Sequence, residues 1–533
     1  MNETVPGGEN RRVAQAAGVV GAATMLSRVF GFIRDMVVAG LFGAGFKTDA
    51  FFVAFRIPNL LRRLLAEGSL TVAFVPVFTD YLKKESRADA LEFANVCFTL
   101  LSIVLVVVSC LGIVFAPLIV TIMAPGFVHA PAQFDLAVFL TRFMFPYIFF
   151  ISLVALCMGI LNALRHFAAP ALSPVVLNIA MILAALLLRD FFAEPIVALA
   201  VGVMIGGVLQ LAMQWPFLVR MGARLRPNFH FRHPGLKQMG ILLLPTLIGS
   251  AVYQLNIFIG TILASLLPKG SVSYLYYADR IVELPLGVFA IAVGTASLPS
   301  LSALVSRGEL GEMKRTLLFS LRLILFITLP ATVALIALRV PILSVLFQRG
   351  AFTADSTLLT AQALLCYTVG LWAFSVIRVI DAAFFALQDR KSPLKAAVVA
   401  LIVNVACSVA LMGPLKHGGI ALATSIASAV NVIMLAVILR RKLGPILGTD
   451  FYRSIAKMAA ASAVMWASLL AVEVLLPWRT GAPFDERLLF LTVSVAVGAA
   501  VFFVAAFLVR SPEMVTFVGA VNRRLRRRPH PPQ

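Results

Sequence analysis

Five arginines stand inside the first two apolar stretches of this 533-residue chain: Arg28 and Arg34, then Arg56, Arg62 and Arg63. A later apolar stretch adds Arg280. A guanidinium keeps its charge at any ordinary pH and presents its N–H donors as a rigid planar fork. At the centre of a spanning helix an arginine costs roughly 2.5–3.5 kcal/mol on insertion scales, so such residues line a protein cavity and meet a partner. The fork matches carboxylate and phosphate oxygens in bidentate geometry. Guanidiniums without cancelling acids, facing an internal cavity, therefore imply an anionic passenger, and a diphosphate has enough oxygens for several forks.

The neighbouring acids set how much of that charge survives. Arg28 and Asp35 are seven residues apart and share a helical face, with Arg34 beside them, so Asp35 neutralises one arginine and not both. Asp49, Arg56 and Arg63 are also spaced at sevens, which lets Asp49 and Arg56 bridge through neighbouring side chains. Glu67 follows Arg62. In the run Tyr276-Tyr277-Ala278-Asp279-Arg280, Glu283 stands one turn after Arg280, so this group is partly self-paired. The plain alternative for each arginine is snorkelling to headgroups or a structural ion pair. That alternative is preferred for Arg56, Arg63, Arg142, Arg322 and Arg378, and the cavity for Arg28, Arg34, Arg62 and Arg280.

Those positions sit in a chain that is 61% hydrophobic and 13% charged, with mean hydropathy +0.97. Apolar runs long enough to cross ~30 Å of hydrocarbon recur from end to end. They predict an all-α polytopic membrane protein with about fourteen transmembrane helices. The net charge of +21 follows the positive-inside rule, with dense runs at 220–237, 440–457 and 523–528. This places both termini in the cytoplasm and removes the case for nucleic acid; the terminal run suits anionic lipid headgroups. The five cysteines fall in apolar spans as small buried hydrophobes, with no disulfide framework and no metal site.

The chain also repeats itself at an offset of about 223 residues. Arg56-Ile57 matches Arg280-Ile281, Pro76 matches Pro299, Pro117-Leu118 matches Pro341-Ile342, and Ala198-Leu199-Ala200 matches Ala421-Leu422-Ala423. Each half holds six spans, so both enter the membrane the same way, related by a pseudo-two-fold axis along its normal. The expected organisation is a tail (1–12), a first lobe (13–222), a linker (223–235), a second lobe (236–442), two appended helices (443–510) and a basic tail (511–533). Two such lobes leave a cavity between them, and rocking them gives alternating access. Gly202 and Gly206 form a small-xxx-small pair suited to close helix packing. No phosphate loop, zinc-protease helix or nucleophile elbow is present, so the residues point to a transporter and not to an enzyme.

The stretch from Ser27-Arg28-Val29-Phe30-Gly31 to Arg34-Asp35, then Phe42-Gly43-Ala44-Gly45 and Thr48-Asp49-Ala50 through Arg56-Ile57-Pro58-Asn59 to Arg62-Arg63, closely resembles the MviN/MurJ family. So do Ala66-Glu67-Gly68, Ala124-Pro125-Gly126-Phe127, Tyr276 through Arg280, and Gln388-Asp389 with Pro393, so the likeness runs over essentially the whole chain. The resemblance implies a lipid II flippase of peptidoglycan synthesis in the bacterial cytoplasmic membrane, within the multidrug/oligosaccharidyl-lipid/polysaccharide exporter (MOP) superfamily. It implies fourteen helices, two six-helix lobes and a lipid-facing groove on the last two. Arg28, Arg34, Arg62 and Arg280 match its cavity arginines, and Asp49 matches a functionally important acid. Asp35, Glu67, Asp279 and Glu283 join Asp49 as cavity or gating candidates. The substrate implied is the undecaprenyl-diphosphate-linked precursor lipid II, with membrane lipids and the cell-wall synthesis machinery as partners. The drive implied is a sodium or proton gradient or the membrane potential. Asp381 is the sodium candidate, set against its neighbour Arg378. The alternatives are a flippase for another polyprenyl-diphosphate oligosaccharide, a drug/cation antiporter of the same superfamily, which would need an acidic cavity, and a scaffold for cell-wall enzymes.

Overall fold

In hydrocarbon a backbone N–H or C=O has no water to bond, so long apolar segments satisfy themselves as helices. The structure, a computed structural model, describes residues 6–61, 71–479 and 481–514, with the side chains of residues 6–17, 61, 71 and 244–253 outside that description. Arg62, Arg63 and Glu67 therefore lie outside the described residues. Among the described residues there are helices and connecting turns but no strand.

The first ten helices are α1 (Pro6–Phe42), α2 (Phe46–Leu61), α3 (Thr71–Lys84), α4 (Arg87–Val114), α5 (Ala116–Met123), α6 (Pro131–Met144), α7 (Tyr147–Ala163), α8 (Ala168–Leu187), α9 (Val197–Arg220) and α10 (Pro234–Ser265). They are followed by α11 (Ser271–Pro285), α12 (Ile291–Ser306), α13 (Leu310–Ala337), α14 (Arg339–Phe347) and α15 (Ala354–Thr368). The last five are α16 (Leu371–Ala386), α17 (Lys391–Leu415), α18 (His417–Leu443), α19 (Thr449–Leu475) and α20 (Phe484–Leu508). Among the described residues ten helical segments are long and apolar enough to cross a membrane, eleven if α15 and α16, bent by 41°, count as one. The chain is thus an all-helical, multi-pass membrane protein. The three expected spans not in that count are α1, which carries Arg28, Arg34 and Asp35, and two that include residues outside the description, α2 with α3 and α10.

The chain forms two compact units, one of residues 1–273 with 350–352 and one of 274–349 with 353–533. The division comes after α10, one helix beyond the expected linker at 223–235, because α10 packs on α3, α4 and α5 of the first unit. In that unit Phe74 stacks on Phe78 and Phe93 in a buried core shared by α3, α4 and α7. α8 and α9 lie against each other where Gly202 faces the backbone of Met181; a Cβ there would come within 2.9 Å of the Met181 Cα. The small-residue pair therefore does the close packing its spacing suggests.

In the second unit, Leu317, Ile324, Val379 and Phe384 centre a core that draws in α12, α13, α16 and α18. The last two helices join it, with Phe502 of α20 packed 5.3 Å from Phe326 of α13. Glu513, buried just past α20, accepts hydrogen bonds from Ser454 (2.7 Å) and Ser511 (2.6 Å) and lies 3.5 Å from Arg322, so Arg322 is structural. Helix breaks recur at about the spacing of the sequence repeat: Phe115 between α4 and α5 answers Leu338 between α13 and α14. Phe145-Pro146 between α6 and α7 likewise answers Val369-Gly370 between α15 and α16. Of the cysteines, Cys97 and Cys157 are buried, but Cys110 is exposed on α4, because the outer face of a spanning helix meets lipid and needs no protein cover.

Candidate functional site

Within the first unit, Arg28 and Arg34 stand on α1, a helix whose own sequence around them is mostly apolar. Arg34 is 9% exposed and donates to Asp35 Oδ1 through Nε (3.1 Å) and Nη2 (2.7 Å). Its Nη1 donates to Asn178 Oδ1 at 3.0 Å, and Asn178 Nδ2 in turn donates to the Ser27 carbonyl at 3.3 Å. Asn178, on α8, thus clasps α1 one turn on either side of Gly31, where a Cβ would lie 3.5 Å from the Asn178 amide. Removing a charge pair from water is costly, and the amide satisfies lone pairs and donors that the pair alone leaves open. Asp35 is spent on Arg34. Arg28, one face away and half-buried, has no hydrogen-bond or ion-pair partner among the described residues.

Asp49 is 2% exposed and does not bridge to Arg56 in the way their spacing suggests. It accepts hydrogen bonds from the Gly270 N–H (2.6 Å), the Ser273 N–H (2.8 Å) and the Ser273 hydroxyl (2.6 Å). These are donors at the start of α11, which has no intrahelical acceptor for them and carries the positive end of the helix dipole. A carboxylate from α2 therefore caps α11. Arg56 donates instead to the Thr261 hydroxyl on α10. The turn at 350–352 docks on the end of α1, where the Ala351 N–H donates to the Gly40 carbonyl at 2.9 Å. Gly43, at φ +68°, faces the Ala351 carbonyl and tolerates neither a side chain nor its backbone preference.

In the second unit Arg280 is half-buried on α11. Its Nη1 donates to Glu283 Oε2 at 2.7 Å, its Nη2 to the Tyr276 hydroxyl at 3.1 Å, and its guanidinium lies 4.9 Å from the centre of the Tyr276 ring. Asp279, next to Arg280 in the chain, is exposed. Asp381 is half-buried on α16, with Arg378 one turn before it. Among the described residues there is no group of three or more His, Cys, Asp or Glu side chains that could hold a metal ion.

Two residues that sequence reasoning missed emerge here. Ser273 gave no signal beyond its place before α11. Asn178 stood out only as a polar residue in an apolar run, and nothing in its spacing tied it to Arg34, 144 residues away.

The sequence pattern described as "Lipid II flippase MurJ" matches residues 38–493. The chain is 37% identical over 467 residues to the "Probable lipid II flippase MurJ" of Buchnera aphidicola subsp. Acyrthosiphon pisum (strain APS), covering 87% of this chain and 91% of that protein. It is similar to a solved structure of a lipid II flippase MurJ in an inward closed conformation, with TM-score 0.78, 27% identity, and 91% and 97% of the two chains covered. It is also similar to an inward-facing multidrug resistance MATE family transporter of the MOP superfamily, with TM-score 0.63, 17% identity, and 80% and 98% covered. That second likeness is one of fold alone.

Proposed function

Since this chain belongs to the lipid II flippase MurJ family, we propose that it carries lipid II from the cytoplasmic to the outer leaflet of the bacterial cytoplasmic membrane. The observation that carries the residue-level reading is Arg28, a half-buried guanidinium in an apolar helix with no partner among the described residues. A charge kept there at a cost of a few kcal/mol has use only when an anion arrives. The diphosphate of lipid II is such an anion.

Arg34 and Arg280 then act as oriented donors. The Arg34–Asp35 pair is nearly neutral as a whole, so its contribution is a fork held in place by Asn178. Arg280 is aimed by Tyr276 and shares its charge with Glu283, whose side chain is 47% exposed and free to yield its place to phosphate oxygens. Arg62 joins this set by its match to the family's motif. The polyprenyl tail stays in lipid along α19 and α20 while access to the headgroup alternates between the two faces of the membrane. No covalent bond changes, so the protein is a transporter. Asp49 is the gating candidate of this reading, because it holds the start of α11, the helix that carries Arg280.

The dense basic runs at 220–237, 440–457 and 523–528 support both termini in the cytoplasm. In that orientation the membrane potential, worth about 2.3 kcal/mol per charge per 100 mV, acts on any step that moves net charge. A sodium or proton gradient is the other drive in this reading.

The test is to deplete the resident flippase from a bacterium and supply this chain, reading lipid II exposed at the outer leaflet. Wild type restores exposure, and Arg28→Ala at equal abundance lowers it at least about tenfold, as expected for losing a charged hydrogen bond of about 1.5–3 kcal/mol. Equal exposure with Arg28→Ala would overturn the arginine's role.

A further inference from the structure

The second unit holds another pair of arginines, which the transport reading does not use. Both converge on the last turn of α14. Arg487, in the first turn of α20, donates from Nη1 to the Ser344 hydroxyl at 2.9 Å, and that hydroxyl in turn donates a hydrogen bond to Gln348 Oε1 at 2.6 Å. Arg349 donates from Nη2 to the carbonyls of Val345 (3.0 Å) and Leu346 (2.8 Å), and its guanidinium lies 5.9 Å from the ring centre of Phe484, one turn before Arg487.

The ordinary role for such residues is to cap a helix C-terminus, whose dipole amounts to about half a negative charge. One arginine suffices for that. Here there are two, and among the described residues neither makes an ion pair. Asp485 and Glu486 lie in the same first turn of α20 but are exposed and pair with neither arginine among the described residues. Partial burial, and after it the neighbouring Arg487 charge, lower the Arg349 pKa from its ordinary value. The two charges are thus close enough to oppose each other.

The donors are also incompletely used. Arg487 Nε is buried without an acceptor. So is the indole N–H of Trp478, whose ring packs 5.2 Å from Phe490, one turn after Arg487. Trp478 also packs against a buried apolar cluster of Leu338, Leu469, Val472 and Phe490. A tryptophan, two cations and an apolar cluster at the end of a spanning helix is the chemistry of a headgroup-level site.

We propose that Arg349 and Arg487 form a lipid-phosphate site at the α14–α20 end of the second unit, distinct from the arginines of α1 and α11. In the orientation proposed above this end faces the outer leaflet. The phosphate supplies the anion that balances the pair, bound at the exposed parts of the two guanidiniums. Two lipids share this chemistry, an anionic phospholipid of the bilayer and a polyprenyl diphosphate.

The test is native mass spectrometry of the purified full-length protein, titrated separately with phosphatidylglycerol, undecaprenyl diphosphate and uncharged diacylglycerol. Wild type retains at least one of the phosphate lipids well above diacylglycerol. Arg349→Gln/Arg487→Gln weakens that retention about tenfold, as expected for losing charged hydrogen bonds. Loss in the phosphatidylglycerol arm alone assigns a bilayer lipid, and loss in the diphosphate arm alone assigns the carrier. The paired control, Arg440→Gln/Arg441→Gln at the end of α18, makes the same change of charge elsewhere and leaves retention unchanged. Arg487→Lys, which keeps the charge but loses the fork, guards against misfolding and retains an intermediate amount. Equal retention by wild type and the Arg349/Arg487 variant, or equal loss in the control, would overturn the site.

Discussion

Arg34 in the first unit and Arg280 in the second are built from the same parts in opposite conditions. Each guanidinium has one carboxylate and one neutral group that aims it. Around Arg34 everything is sealed: the side chains of the pair are 10% and 3% exposed, and Asn178 closes the third side. Around Arg280 the corresponding figures are 32% and 47%, and the aiming group is a phenol. The capping carboxylates differ less: Asp49 is buried under three donors in the first unit, and Asp389 in the second, its side chain 13% exposed, caps α17 through Lys391 and Ser392 and pairs with Lys442 at 2.9 Å. Glu513 shows that the second unit can seal an acid when the task is anchoring, and there too a serine pair and an arginine enclose it. A sealed pair fixes geometry and an open pair can exchange partners. The first unit therefore presents a rigid donor and the second an adaptable one.

The sharpest way to break this comparison is at Arg34. Arg34→Ala leaves Asp35 charged and enclosed, which costs about 3–5 kcal/mol, read as a large fall in the thermal unfolding temperature of the purified protein. Replacing both members with Leu recovers most of that loss, since a well-packed apolar pair rivals a buried ionic one. If Arg34→Ala melts like wild type, the sealed pair is no anchor.

Asp49→Ala comes next. It strands the Gly270 and Ser273 donors and costs about 1–3 kcal/mol, with faster backbone hydrogen exchange in the first turn of α11 as the local readout. Unchanged exchange there would mean the cap contributes nothing.

Asn178→Ala removes one neutral acceptor and costs about 1 kcal/mol of stability. Lipid II exposure falls by more than that small loss explains, because the Arg34 fork is no longer held at its second nitrogen. Proportional losses would demote Asn178 to packing.

Arg280→Ala changes stability by at most about 1 kcal/mol, because a half-open pair is worth little, while it still lowers lipid II exposure. A stability loss as large as that of Arg34→Ala would erase the contrast between the units.

The smallest effect concerns pH. The Ser392 hydroxyl, then its N–H and Lys442, hold the Asp389 carboxyl below the usual carboxylate range. Its contribution to stability is therefore full above about pH 4, where the unfolded group is ionised, and fades as pH falls toward the depressed value. Asp389→Asn flattens that part of the acid-melting curve, which thermal scans from pH 6 to pH 3 would reveal.

Much of this was legible before any coordinates. Length and hydropathy announced the helices, and the Gly202/Gly206 spacing announced close packing on α9, though not that α8 is the partner. The pairing around Asp35 was harder to read. Helical geometry puts neighbours on different faces and favours Arg28, seven residues away, yet Arg34 takes the carboxylate because a long side chain can curl back where a short one could not. The cap from Asp49 to Ser273 and the clasp from Asn178 to Arg34 join residues 224 and 144 apart, and no local pattern encodes such a meeting. The helix breaks at Phe115 and Leu338 show as a matched pair only once the halves are laid over each other.

The Asp49 cap also bears on how the chain is made. Its donors lie 224 residues downstream, so at about 5–20 residues per second the ribosome needs roughly 11–45 s to deliver them. Throughout that interval a carboxylate that ends up enclosed has nothing to enclose it. The early helices must therefore wait in the bilayer in a loosened arrangement, open to proteolytic surveillance. A nascent chain halted before Gly270 is the form that surveillance would meet first.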